Sequence, residues 1–587
     1  MNILLVVVPA FVVLAAAYFT YGPLLARLLK LDPNVDTPAV TLRDDVDYVP
    51  IEPKFLLSQH FSAIAAAGPI VGPILAGVMF GWLPALSWIV VGCIFIGGVH
   101  DMTALVASVR HKACSIAEVV REHMTRRSYI LFLLFVWIAL VYIIVAFADI
   151  TAGSFIGVQT LENGQTVSGA GIASSSLMYL ALPIIMGLLL RYTKLSLNAA
   201  TAIFLPLVAL AIWGGQKIPL DLAALFGGDA NQAHKAWDVL LLGYCFVASM
   251  TPMWLLLQPR GHLGGFFLLF ALGGGALGLV FGSKTIQYPA FLGFEHVDAE
   301  GVASPLFPIL FITIACGACS GFHSIIASGT TSKQLRKETD ATPVGYGSMM
   351  LEGMVAVVSL ACVMMLPATA AVLQGQPKPN FVYAQGVSSF LAVIGIPPAF
   401  GVAFGLMAFT TFVYDTLDVC TRLGRYLIQE LTGLKGDAGR WLGTALTAGV
   451  PLFFVLQKVT NAKGQPVPVW KLFWSLFGAS NQLLAALTLI GVTVWLVKTQ
   501  QAKWVWLVTG IPTALMYTMS TWALCRFIKT GFFGAQGLQL PRDPVPYIAV
   551  VLVGLAMLLL VEAIKVFLSL RPPTAPRRPQ PVLAPAG

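Results

Sequence analysis

Residues 60–81, HFSAIAAAGPIVGPILAGVMFG, form an apolar run long enough to cross a bilayer, broken at its centre by Gly68-Pro69 and Gly72-Pro73. A chain in lipid must satisfy its backbone hydrogen bonds internally. An opened helix is therefore tolerated only where protein surrounds it or where it lines a cavity. Near the bilayer midplane such a break offers free amides on one side and free carbonyls on the other, the groups with which discontinuous helices bind small solutes and ions. The run thus points to a polytopic helical membrane protein organised around a buried polar site.

Composition agrees. Hydrophobic residues make up 57% of the chain and charged residues 10%, with a mean hydropathy of +0.83; a soluble domain carries about 25% charged residues. The net charge of +9 does not call for nucleic acid, because the basic residues fall in short clusters between apolar spans. The eight cysteines lie mostly inside those spans without a paired framework, so free thiols are expected. Cys316 and Cys319 make a C-x-x-C that reads as part of an apolar helix, with a packing role. Residues 3–26 lack a basic leader and read as a retained first span.

Hydropathy places about fifteen membrane helices, near 3–26, 61–81, 85–109, 129–149, 173–190, 197–213, 239–257, 264–282, 306–328, 344–368, 397–416, 441–457, 472–497, 504–525 and 546–569. The stretch 384–396 is too short to cross and is expected to lie at the interface or to re-enter. Lys and Arg are retained on the cytoplasmic side. With the N-terminus outside and the C-terminus inside, that side receives Arg110, Lys112, Arg121, Arg126 and Arg127; Arg191 and Lys194; Lys333, Arg336 and Lys337; Arg422, Arg425, Lys435 and Arg440; and Arg571, Arg577 and Arg578. The opposite loops hold the sparser set that includes Lys217, Lys235, Lys284, Lys463 and Arg542. The Pro-rich tail 571–587 has too little apolar material to pack and reads as disordered.

Five helices after the first break comes the span at 239–257, with Ser249, Thr251 and Pro252 inside it. The two broken spans run in opposite directions, as an inverted repeat of five plus five helices requires. Gly68, Pro69, Gly72, Ser249 and Thr251 are the expected substrate-binding positions, their half-helix amides suited to a carboxylate. A charge inside a span costs roughly 2.5–3.5 kcal/mol on insertion scales and is a functional candidate by default. His100 and Asp101, and Asp415 and Asp418, are candidates for gating or proton relay, with Arg422 placed to pair with Asp418 at i+4. His323 and Ser324 are expected at a coupling-ion site, where an imidazole suits protons. His60 with His323 is a further candidate for a metal pair, without ligand spacing to support it. Glu352 is another buried charge, and Glu562 and Lys565 are spaced to satisfy each other.

Walker A, zinc-protease, nucleophile-elbow and nucleotide fingerprints are absent. No enzyme activity and no cofactor are expected beyond a proton or sodium as coupling ion. HFSAIAAAGPIVGPILA from His60, GGVHDMTALVASVRHKACSIAEVV from Gly97, MTPMWLLLQPR from Met250, ITIACGACSGFHSIIASGTTSKQL from Ile312, GYGSMMLEG from Gly345, TFVYDTLDVCTRLGRYLIQEL from Thr411 and FWSLFGASNQLLAALTL from Phe473 together resemble the carbon starvation protein A family of bacterial peptide and pyruvate transporters. The resemblance implies an all-α inner-membrane protein with a LeuT-type five-plus-five core. It divides the chain into a first helix and loop (1–59), the ten-helix core (60–416), additional helices (417–570) and the tail (571–587). The implied partners are a small-molecule substrate and the lipid bilayer, and no nucleic acid. The resulting expectation is a secondary active importer of small carboxylate-bearing nutrients, pyruvate or short peptides. An ion channel, a membrane-embedded nutrient sensor and a membrane enzyme are the competing readings.

Overall fold

A computed structural model describes residues 1–44, 48–160, 165–297, 303–373, 378–434, 436–458, 468–534, 537–541 and 543–569. The tail 571–587 with its arginines, and Lys435, Lys463 and Arg542, lie outside the described residues. The described residues are mostly helical, with three short two-stranded hairpins among them in the connections. Among the described residues ten helices are long and apolar enough to cross a membrane, eleven if the bent pair Pro53–Ala65 and Gly68–Phe80 counts as one. The other expected spans also exist as helical segments. Ala230–Met250, Gly436–Val455 and Ile511–Phe532 are less apolar or shorter, and 306–328 is broken in two.

Sequence signals set the helix ends. Ser115, Thr125 and Ser196 accept hydrogen bonds from backbone amides three residues on, and Pro53, Pro379 and Pro398 stand in first turns where no amide hydrogen is needed. Pro398–Thr432 closes at Gly433 with φ of 71°. This helix runs well past the expected end at 416, because Asp415, Asp418, Arg422 and Arg425 are all buried and partnered inside the protein. The stretch expected at the interface or re-entrant begins in the short buried helix Pro379–Leu391, packed against Pro398–Thr432, and ends in the exposed turn Ala392–Ile394.

Burial orders the helices. In the apolar part of Val469–Gln500, 94% of residues are buried, against 22% in Leu4–Leu28, so the former is an axis of the core and the latter faces lipid. Leu4–Leu28 also fixes the two ends of the molecule. At its start Ile286 donates to the Met1 carbonyl and Ile3 to that of Lys284. At its finish Arg110 donates to the Leu29 carbonyl at 2.8 Å and pairs with Glu338 at 2.6 Å. Lys284 and the Arg110 and Lys337 clusters therefore lie at opposite ends, as the loop charges require.

Candidate functional site

Three interruptions meet the core. Pro53–Ala65 and Gly68–Phe80 are bent by 44° at Ala66-Ala67, and Ala66 adopts φ of 43°, a conformation costly for a residue with a Cβ. The second was not legible. Leu306–Thr313 stops, residues 314–320 are non-helical, and the helix resumes at Gly321–Ile326 and runs into a π-turn, Ala327–Thr331. Cys316 and Cys319 therefore lie in opened backbone, not in a helix, and both are buried free thiols. The third separates Ala230–Met250 from Leu257–Phe281.

The freed backbone groups of the second break are satisfied by side chains from other helices, as a buried break requires. Asn481 Oδ1 accepts from the Phe322 amide at 2.9 Å, and its Nδ2 donates to Ser320 Oγ at 3.0 Å. Gln482 donates to the Phe311 carbonyl, and Trp88 Nε1 to that of Ile314 at 3.2 Å. Asn481 and Gln482 stand in the GASNQLL run, whose amides inside an apolar span were the available signal.

The first two breaks face each other. A Cβ on Gly68 would overlap Cys316, one on Gly72 would come within 2.5 Å of the Thr313 carbonyl oxygen, and one on Gly317 within 3.4 Å of Pro69 Cα. Gly68, Pro69 and Gly72 thus lie together against 313–317. Gly72→Leu is expected to force this backbone apart, costing about 1–3 kcal/mol or more. Folded yield on size-exclusion chromatography and uptake should fall together, whereas unchanged yield and uptake would show the packing to be slack. Ser249 and Thr251 belong to a different neighbourhood. The Ser249 carbonyl accepts from Arg425 at 2.5 Å, that of Thr251 from Arg422 at 2.6 Å, and Ser249 Oγ meets Thr444 at 3.3 Å.

Two buried polar networks flank this centre. In the first, Asp101 Oδ1 meets His100 Nδ1 at 2.7 Å and Asp101 Oδ2 meets His323 Nδ1 at 2.8 Å. His323 Nε2 lies 3.3 Å from Glu352 Oε2, without hydrogen-bond alignment. All four residues have zero exposure. Gly98–Arg110 presents His100 and Asp101 just after the π-turn Cys93–Gly97, and Ser348–Met364 presents Glu352 just after the π-turn Thr342–Gly347. Such turns are frequent at functional sites. His60 Nδ1 bonds Thr331 Oγ1 at 2.8 Å, so His60 and His323 serve different partners. Ser324 also turns away from His323, to the Gly321 carbonyl at 2.7 Å and Thr488 at 3.0 Å.

The second network corrects an expectation. Asp418 does not pair with Arg422. Its partner is Arg260, fully buried at the start of Leu257–Phe281, whose Nη1 contacts Asp418 and Tyr244 and whose Nε donates to Asp415 Oδ1 at 2.6 Å. Tyr244 donates to Asp418 at 2.8 Å, Ser62 donates to Asp415, and Arg260 Nη2 has no hydrogen-bond partner among the described residues. Arg422 is drawn instead to the Ala248 and Thr251 carbonyls, which the third break leaves free. Beside the second network lies a small cavity of about 10 Å³, room for about one water, lined by Gln59, His60, Ala63, Gly261, Thr330, Thr331 and Asp415. A larger vestibule opens at the basic end, lined by Arg121, Ser328, Gly329, Lys333, Tyr426 and Glu430, so the π-turn 327–331 is shared by vestibule and cavity. Glu562 and Lys565 pair at 2.9 Å, as their spacing suggests.

The sequence matches the family model of carbon starvation protein CstA over residues 2–378 and 369–523. The peptide transporter CstA of Helicobacter pylori is 32% identical over 88% of this chain and 81% of its own length. The pyruvate/proton symporter BtsT of Escherichia coli is 31% identical over the same shares. The peptide transporter CstA of Bacillus subtilis is 30% identical over 96% of this chain and 97% of its own. Among solved structures, a manganese transporter of Eremococcus coleocola aligns with a TM-score of 0.45 at 15% identity, covering 90% of this chain and 98% of that one.

Proposed function

This chain belongs to the carbon starvation protein CstA family, and we propose that it is a secondary active transporter that imports small carboxylate-bearing nutrients with protons as the coupling ion. The observation that carries this reading is the line His100, Asp101, His323 and Glu352, four ionisable side chains without exposure joined across three helical elements. Ionisable groups are retained inside membrane proteins where ions or protons pass. An ionised Asp101 only accepts, so both Nδ1 atoms that meet it carry hydrogen. His323 then has one nitrogen left, 3.3 Å from Glu352, and a proton taken up by either group changes the attraction between Gly321–Ile326 and Ser348–Met364. Binding or losing that proton is a local charge change able to bias a conformational equilibrium.

The substrate class rests on the relatives, one named for peptides and one for pyruvate with a proton, both substrates that carry a carboxylate. The start of Gly68–Phe80 offers a positive helix end at Gly68, Pro69 and Gly72, and Arg260 Nη2 is a buried donor with no partner among the described residues. The Ser249 and Thr251 carbonyls are taken up by Arg425 and Arg422, so substrate is not assigned to them. The ten-helix core at 60–416 works as a LeuT-type inverted repeat in the bacterial inner membrane, N-terminus outside and basic vestibule inside. No catalytic residue is assigned. Purified protein in liposomes should accumulate labelled pyruvate, or a di- or tripeptide, when a pH gradient is imposed in sodium-free buffer. Accumulation that needs sodium, or gradient-insensitive flux of all these solutes, would overturn the reading.

A further inference from the structure

At the end of the molecule opposite the basic clusters, the last turns of Arg126–Ser154 and the first turns of Ala230–Met250 bring together Asp149, His234 and Asp238. His234 Nε2 lies 3.1 Å from Asp149 Oδ1, 3.0 Å from the Asp149 carbonyl oxygen and 4.0 Å from Asp238 Oδ2. One donor atom from each residue falls within 4.8 Å of the others. The Asp238 side chain is 1% exposed and, among the described residues, neither of its oxygens has a hydrogen-bond partner. A bare carboxylate buried beside a second carboxylate is a costly arrangement unless a cation or a proton completes it. Lys235, on the same helix, does not supply the charge, for its Nζ donates to the Leu456 carbonyl at 2.6 Å.

We propose that Asp149, His234 and Asp238 bind a divalent transition cation of the zinc class. One imidazole and two carboxylates are a donor set such ions accept. Ligand bonds of about 2.0–2.2 Å hold neighbouring donors roughly 3.4 Å apart in a tetrahedral site, so closing on the ion from separations of at most 4.8 Å takes side-chain movement of about 1.4 Å or less. The supporting shell exists: Asp149 Oδ2 accepts from the Trp470 amide at 2.7 Å, which aims its other oxygen at His234. An entry path exists too, because the His234 side chain is 25% exposed while both carboxylates are enclosed. The ion would fasten Arg126–Ser154 to Ala230–Met250 and, through Asp149, to the start of Val469–Gln500, away from both networks of the transport site.

The full-length protein, dialysed against chelator, is titrated with Zn2+ alone by calorimetry, and bound metal is counted by mass spectrometry. About one equivalent should bind and raise the unfolding temperature. Asp238→Asn and His234→Gln should each weaken binding on the order of 10- to 100-fold or more. His111→Gln should leave it unchanged, as control for the second histidine-containing group at His111, Glu122 and His123. X-ray absorption of the zinc-loaded parent needs no variant to fold and should show one imidazole with oxygen neighbours. Two imidazoles around zinc, equal binding by the variants, or no binding by the parent, which would leave a proton on Asp238, would each overturn the site.

Discussion

Replacing His323 by glutamine is expected to abolish accumulation against a gradient while leaving substrate exchange intact. The glutamine amide can still donate to Asp101, which His323 meets at 2.8 Å, but it neither binds nor releases a proton near neutral pH. If His323 and Glu352 hold the coupling proton, the variant still closes around substrate yet transports it only downhill. The size of the effect follows from the gradient. A pH difference of one unit is worth about 1.4 kcal/mol per proton, a tenfold concentration ratio. For a monocarboxylate carried with one proton the cycle moves no net charge, so the parent should reach about that ratio whatever the membrane potential. His323→Gln should stay near a ratio of about one, with counterflow of labelled against unlabelled substrate preserved. Full proton-driven accumulation by the variant would return His323 to a packing role, and loss of exchange as well as accumulation would make it part of the fold's support rather than the coupling step. Glu352→Gln should reproduce the phenotype, since the pair shares the proton.

The members of this relay were visible in the sequence as isolated charges in apolar runs, whereas their arrangement was not. His100 and Asp101 are neighbours, but His323 meets Asp101 from the helix that resumes after 314–320, Glu352 meets His323 from a further helix, and side chains that satisfy the break, Asn481 and Gln482, come from far along the chain. Glycine in a membrane helix signals close packing as readily as a break, so GACSG alone could not decide between them. That this span is broken was legible because proline removes an amide donor and clashes with the preceding turn, but the place was not: the break falls at Ala66-Ala67, while Gly68-Pro69 begins the next helix and Gly72-Pro73 lies inside it. Arg260 was missed for a simpler reason. Hydropathy ended one span at 257 and began the next at 264, leaving the arginine in a loop, whereas the helix starts at Leu257 and carries it inside. Two acidic residues in one buried helix turn, Asp415 and Asp418, were the signal that a cation from elsewhere was needed. His234 was passed over likewise, although its i+4 spacing to Asp238 puts both on one face.

The second large effect concerns Arg260. Its guanidinium is the only cation among the described contacts of Asp415 and Asp418, and three of its directions are used at once by Asp415, Asp418 and Tyr244. Removing one partner of a buried ion pair typically costs about 3–5 kcal/mol, because the other charge is left without compensation. Arg260→Met, which fills similar volume, is therefore expected to destabilise the protein by about that amount, read as a large drop in unfolding temperature and in folded yield. Lysine should rescue poorly, since a single ammonium cannot fork between two carboxylates and a phenol. The cause can be separated from lost packing by neutralising the carboxylates in the same background. Adding Asp415→Asn and Asp418→Asn to Arg260→Met should recover most of the stability, because the amides no longer carry the stranded charge. That recovered protein should fold without transporting, for it lacks the guanidinium and its Nη2 donor, which has no partner among the described residues. Recovery of stability together with uptake would show that the buried triad only holds helices together. A single Arg260→Met protein with parental stability would show that the carboxylates were never charged against it.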